Sequence, residues 1–162
     1  MAALRSAPEA GPGAPLLRIF CDADVLIAGA ASTSGASQIL LQLSELTLVA
    51  CLTSGQAVGE AERNLLAKIP AALPAFRLIL DAAVEVMPTP RPSVVRELGT
   101  QAHAKDVAIL AAAVSARADF LTTFNTRHFL PRKAPPLILL PGQVLLRIRA
   151  SLSRLLTESS SD

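Results

Sequence analysis

The sequence predicts an α/β fold, a three-layer α/β/α sandwich in which a five-stranded parallel sheet lies between helices. Three observations predict it. Short apolar runs alternate along the chain with longer segments of helical periodicity, and that alternation produces parallel strands joined by helical crossovers. The first run, "LLRIFCDADVLIAGAA" (residues 16–31), breaks into Asp22 and Asp24 before turning apolar again. Such a parallel sheet binds its ligands at the carboxyl ends of its strands, where a carboxylate can meet a compensating cation. Finally, 162 residues, 51% hydrophobic but only 3% aromatic and without Trp or Tyr, suffice for one core built of Leu, Ile, Val and Ala.

The elements follow in order. Residues 1–15 are rich in Pro, Gly and Ala, a composition that predicts disorder; one domain is expected over 16–157, with a disordered tail at 158–162. Strands are predicted near 17–22, 46–51, 83–86, 119–123 and 137–140. "SGASQILLQLSE" carries Ile39, Leu40 and Leu43 at helical spacing, and "SGQAVGEAERNLLAKI" opens with Ser54, a good N-cap. "PAFRLILDAA" reads as a short helix starting at a tolerated Pro. "AKDVAILAAAVSARA" is a helix with a small face fit for close packing, and "GQVLLRIRASLSRLL" is a final amphipathic helix after Pro141. The strand at 83–86 rests on "AVEVM" before a Pro-rich break.

Composition excludes several classes. A net charge of +2 gives no strong global field toward nucleic acid or membrane and leaves local basic patches to act. No apolar run reaches the ~20 residues that span a bilayer, and the opening residues lack the apolar stretch of a secretory signal, so a cytoplasmic protein is expected. Cys21 and Cys51 sit in apolar runs without metal-site spacing and read as buried reduced thiols, although neighbouring strands could bring them to disulfide distance.

Further polar positions align with Asp22 and Asp24. Glu60 lies about two turns into the helix after the second strand; Glu62, at roughly 200° around that helix, points away, so only one of the two faces the sheet rim. Asp106 is expected in the first turn of the Ala-rich helix, and Asn125 follows the fourth strand. Asp24 also suits an N-cap of a short helix. Carboxylates that converge repel one another unless a hard cation such as Mg²⁺ or Mn²⁺ joins them. Asp119 precedes the fourth strand, at the opposite end from the rim. His103 and His128 lack zinc spacing and read as surface or capping residues, His128 lying nearer the acids; Arg127, Arg132 and Lys133 could meet phosphates, and one hydroxyl of Thr122 or Thr123 could reach the acids.

Together, "IFCDADVLIAG", "VGEAERNLL", "HAKDVAILAAAVSARADFLTTFNTRHF" and "LILLPGQVLLRIR" resemble a PIN domain over about residues 17–150. PIN domains are metal-dependent ribonucleases that include the toxins of many bacterial toxin–antitoxin pairs. The resemblance implies a five-stranded parallel sheet, hydrolysis of RNA phosphodiester bonds, and Mg²⁺ or Mn²⁺ as cofactor. It puts Asp22, Glu60 and Asp106 in the first three acidic positions, catalytic and metal-binding; Asp24, where the family often carries Asn, Ser or Thr, is by hypothesis a further metal ligand that compensates for the missing fourth acid. At the fourth acidic position this chain has Asn125, which offers an amide oxygen without charge. Arg127, His128 and Lys133 are the expected RNA contacts. RNA is the expected substrate, an antitoxin protein a candidate partner, and a homodimer is expected through the apolar residues of the last helix.

Two rivals share these residues. "IFCDADV" also fits the Asp-x-Asp motif of haloacid-dehalogenase-type phosphatases, with Asp22 as nucleophile and Asp24 as acid/base; the fourth strand, ending in "LTTFNTRHF", lacks that family's later acidic pair. The other rival is a catalytically impaired PIN-like module that binds RNA or protein.

Overall fold

The computed structural model describes residues 16–159. Strands β1 (Arg18–Cys21), β2 (Ala50–Ser54), β3 (Val84–Met87), β4 (Phe120–Thr122) and β5 (Leu137–Leu139) form one sheet. All four pairings are parallel, and the order is β3-β2-β1-β4-β5. The α-helices among the described residues are α1 (Ala23–Ala31), α2 (Ala36–Glu45), α3 (Gly55–Lys68), α4 (Leu73–Ala83), α5 (Pro92–Glu97), α6 (Val107–Ser115) and α7 (Pro141–Glu158). The expected disordered segment 1–15 lies outside the described residues. Of the expected tail, Glu158 closes α7 and Ser159 caps it, while 160–162 are outside.

β1 occupies the middle of the sheet because it can be covered on both faces: Ile19, Phe20 and Cys21 are all fully buried. It pairs Ile19 with Cys51 on one side and with Phe120 on the other. The chain runs outward from β1 through β2 to β3, then crosses back to β4. Right-handed connections therefore put the helices of the first two crossovers on one face and those of the third on the opposite face. The packing follows that rule. α1 packs on α2, α3 and α4, and α7 on α2, whereas α5 packs on α6 and α6 against β2 and β4. The Ala-rich face serves this approach, with Leu110, Ala111, Ala112 and Ala113 sealed in the core. Gly29 does the same between α1 and α2, where a Cβ would run into the Leu41 side chain.

Two sequence expectations need correction. The second strand starts at Ala50, four residues later than predicted, because 46–49 form a turn in which Thr47 takes a left-handed φ of 59°. The apolar Leu46 and Leu48 in that turn are exposed, and the strand instead takes in Thr53 and Ser54. Helix α5 falls in a Pro-rich stretch that reads as a break; Pro92 stands at its start, where a missing N–H costs nothing. Ser54 caps α3 as expected, its Oγ accepting from Ala57 N at 3.3 Å. Both cysteines are buried and free.

Candidate functional site

The order of the sheet reverses between β1 and β4, and the chain leaves both strands at the same rim. The Asp22 N–H still donates to the Thr122 carbonyl at 3.1 Å, so Asp22 is fixed by the end of the β1–β4 ladder. It is also the N-cap of α1, its Oδ1 accepting from Ala23 N at 2.8 Å. Its other oxygen accepts the Thr123 hydroxyl at 3.0 Å. Asp22 is only 7% exposed. Burial, and then the charge of Asp24, push its pKa up to about 6, against the pull of the Ala23 N–H and the Thr123 hydroxyl; Asp106 adds to the rise.

Asp24 lies in the first turn of α1, two residues past the N-cap, a position that Asp22 takes instead. Its Oδ2 accepts from Phe124 N at 2.9 Å and from Asn125 Nδ2 at 3.1 Å. Its Oδ1 is buried without a hydrogen-bond partner. Burial raises its pKa; the Phe124 and Val25 N–H groups and the Thr123 hydroxyl oppose that, and the charge of Asp106 adds to the rise. A buried, unpaired carboxylate oxygen beside a second carboxylate of raised pKa is costly unless a cation answers it. The donor set, hard anionic oxygens, fits Mg²⁺ or Mn²⁺.

Asp106 directly precedes α6 rather than entering its first turn, and its side chain makes no cap bond. Its Oδ2 lies 3.0 Å from His128 Nδ1. The His103 ring stacks on His128 with centroids 4.4 Å apart and planes 21° from parallel. Ligand atoms of His103, Asp106 and His128 all lie within 4.8 Å of one another. The expected surface or capping roles for the histidines missed this grouping. Its origin is a backbone clip: His103 N donates to His128 O at 2.7 Å, Leu130 N donates to Gln101 O at 2.8 Å, and Ala102 bridges Phe129.

The remaining predicted positions are spread around this rim. Glu60 is exposed on α3 and lines a groove with Asp24, Asn64 and Lys68. Glu62 faces α4, 3.8 Å from Arg77, in keeping with only one of the pair facing the rim. Asn125 turns its amide nitrogen to Asp24. Arg127 and Lys133 are exposed. Arg132, by contrast, spends its donors on Gln101 Oε1 and the Pro135 and Pro136 carbonyls. Of the two threonines, Thr123 reaches the acids; Thr122 Oγ1 is buried without a partner. Asp119 holds the far end, accepting from Arg18 N at 2.8 Å.

Fold and rim together define a doubly wound α/β protein with an acidic centre at its topological switch point. The family model for the PIN domain matches residues 18–127, more than half of the chain, and the protein belongs to that family. Membership displaces the phosphatase reading of "IFCDADV". Among solved structures, the crystal structure of PAE2754 from Pyrobaculum aerophilum is similar in fold, with a TM-score of 0.60 at 19% identity, over 85% of this chain and 99% of that one. No curated protein sequence matches the chain. PIN domains are typically metal-dependent nucleases.

Proposed function

We propose that the protein is a Mg²⁺- or Mn²⁺-dependent endoribonuclease that hydrolyses RNA phosphodiester bonds in the cytoplasm, and that it is the toxin of a toxin–antitoxin pair. The observation that carries the catalytic reading is the buried, unpaired Asp24 Oδ1 beside Asp22, with Asp106 close enough to raise both carboxyls. Asp22, Asp24 and Asp106 hold the cation, with Glu60 approaching from α3. The cation neutralises charge on the phosphodiester and makes a bound water more acidic.

The chain's own groups do the rest. The Thr123 hydroxyl and the Ala23 N–H orient Asp22. Asn125 steadies Asp24 as a donor and adds no charge. Phe124 is half-exposed beside the acids, while Phe20, Phe76, Phe120 and Phe129 are buried, and the sequence has no other aromatic of the Phe, Tyr or Trp type. An exposed ring there gives a base a stacking platform. Arg127 and Lys133 contact phosphates, and His128 borders the same path. The homodimer forms through the exposed leucines of α7.

A second reading, an RNA- or protein-binding module without turnover, is favoured by the neutral Asn125. Incubation with a generic single-stranded RNA separates the two. Cleavage that needs Mg²⁺ or Mn²⁺, stops in chelator and is lost in Asp22→Asn supports the enzyme; RNA binding without metal-dependent cleavage supports the module. Growth arrest on expression of the wild type, absent with Asp22→Asn, supports the toxin role.

A further inference from the structure

We infer that His103, Asp106 and His128 form a second cation site, suited to a borderline transition ion of the Zn²⁺ or Co²⁺ class, that shares Asp106 with the acidic rim. The donor set argues for this class. Two imidazoles and one carboxylate suit Zn²⁺ and its neighbours, whereas Mg²⁺ prefers oxygen alone. The rim acids and this trio therefore differ in kind, although one residue belongs to both.

Three observations argue that the trio is built. The histidines come from segments far apart in sequence, and the backbone clip of Gln101–His103 against His128–Leu130 fixes them side by side. Arg132 braces the same clip from outside, its Nη1 donating to Gln101 Oε1 at 2.6 Å. His128 is oriented by Asp106, while the exposed His103 ring makes no hydrogen bond among the described residues. A hydrogen-bonded His128–Asp106 pair accounts for two members of the trio and leaves the ring nitrogens of the stacked His103 unengaged.

Zn²⁺ binds nitrogen at about 2.0–2.1 Å, so ligand atoms up to 4.8 Å apart must draw in. Rotation of the exposed His103 out of its stack supplies that movement. Three protein ligands leave a fourth position for water, the arrangement of an open site. Because Asp106 serves both sites, an ion held by the histidines draws its charge from Asp22 and Asp24. Each cation then weakens the other by the same factor.

The test is calorimetric titration of the full chain with Zn²⁺, alongside visible absorption of the Co²⁺ form, for wild type, His103→Ala, His128→Gln and Asp22→Asn. The expected result is one Zn²⁺ per chain, weakened about tenfold or more in either histidine variant and not weakened in Asp22→Asn. The intense Co²⁺ bands of a low-coordinate site should vanish with His103→Ala, which is exposed and should leave the melting temperature unchanged. Added Mg²⁺ should weaken Zn²⁺ binding in the wild type. Equal Zn²⁺ affinity in His103→Ala and wild type would overturn the proposal, as would loss of Zn²⁺ binding in Asp22→Asn, which would place the ion among the rim acids. No RNA enters the measurement, so its outcome is independent of the ribonuclease reading.

Discussion

Asp22 carries a cost that the rest of the rim is arranged around. Its pKa rises from 3.8 to about 6 in the folded protein. An acid raised on folding favours the native state only while protonated, so metal-free stability is lost as pH rises from about 4 to about 6. At pH 7 the loss is about 3 kcal/mol. Asn is as good an N-cap as Asp, so Asp22→Asn keeps the cap and removes the charge. We predict that, without metal, Asp22→Asn melts several degrees above the wild type at pH 7, that the gap closes below pH 4, and that Mg²⁺ narrows it by stabilising the wild type. Thermal denaturation across pH measures this directly, and a variant less stable than wild type at pH 7 would contradict it. Asn125→Asp acts in the opposite sense: it replaces a donor to Asp24 with a further charge beside Asp22, Asp24 and Asp106, so the metal-free protein should lose about 1 kcal/mol or more while Mn²⁺ affinity rises. Unchanged Mn²⁺ affinity would put Asn125 outside the centre. The acids were legible in sequence because a carboxylate between apolar runs has no cheap place to go. The histidine trio was not, since His103 and His128 meet only through a clip that the tertiary fold creates.

At the scale of elements, the stretch Thr123–Phe124–Asn125 does more than its position after a three-residue strand suggests. Its hydroxyl, one backbone N–H and an amide all turn to Asp22 or Asp24, and the Phe124 ring is left facing solvent. Phe124→Ala should leave folding and metal binding intact and weaken single-stranded RNA binding by about 1–3 kcal/mol; equal RNA affinity would move the bases elsewhere. Arg127→Ala with Lys133→Ala should weaken RNA binding and flatten its salt dependence, because a protein that neutralises fewer phosphates releases fewer counterions. An unchanged salt slope would put the phosphates on another path. The helices α2, α3, α4, α6 and α7 were legible from periodicity and from Ser54 as a cap. The start of β2 was not, because Leu46 and Leu48 look like strand residues and are spent in a turn; α5 was hidden by the prolines that begin it.

For the whole molecule, the strand order was legible only as a class. Alternation of strands and helices demands a parallel sheet, but the placement of β4 beside β1, which brings Asp106 and Thr123 to Asp22, is a property of the crossover. The same architecture leaves Leu146, Leu152 and Leu155 exposed along α7 while Leu145 and Ile148 pack inward. Exposed apolar surface of this kind favours association. We expect a homodimer by light scattering at tens of micromolar protein, and a monomer when Leu152 and Leu155 are both changed to Glu; a monomeric wild type would contradict it.

The catalytic reading turns on whether the rim acids bind a hard cation, and calorimetric titration with Mg²⁺ asks that most directly, because Mg²⁺ has little affinity for imidazole and so reports the carboxylates. Wild type and His103→Ala should bind Mg²⁺ alike, and Asp22→Asn should bind it about tenfold more weakly or worse while remaining folded. Equal Mg²⁺ affinity in Asp22→Asn and wild type would contradict a metal centre at this rim.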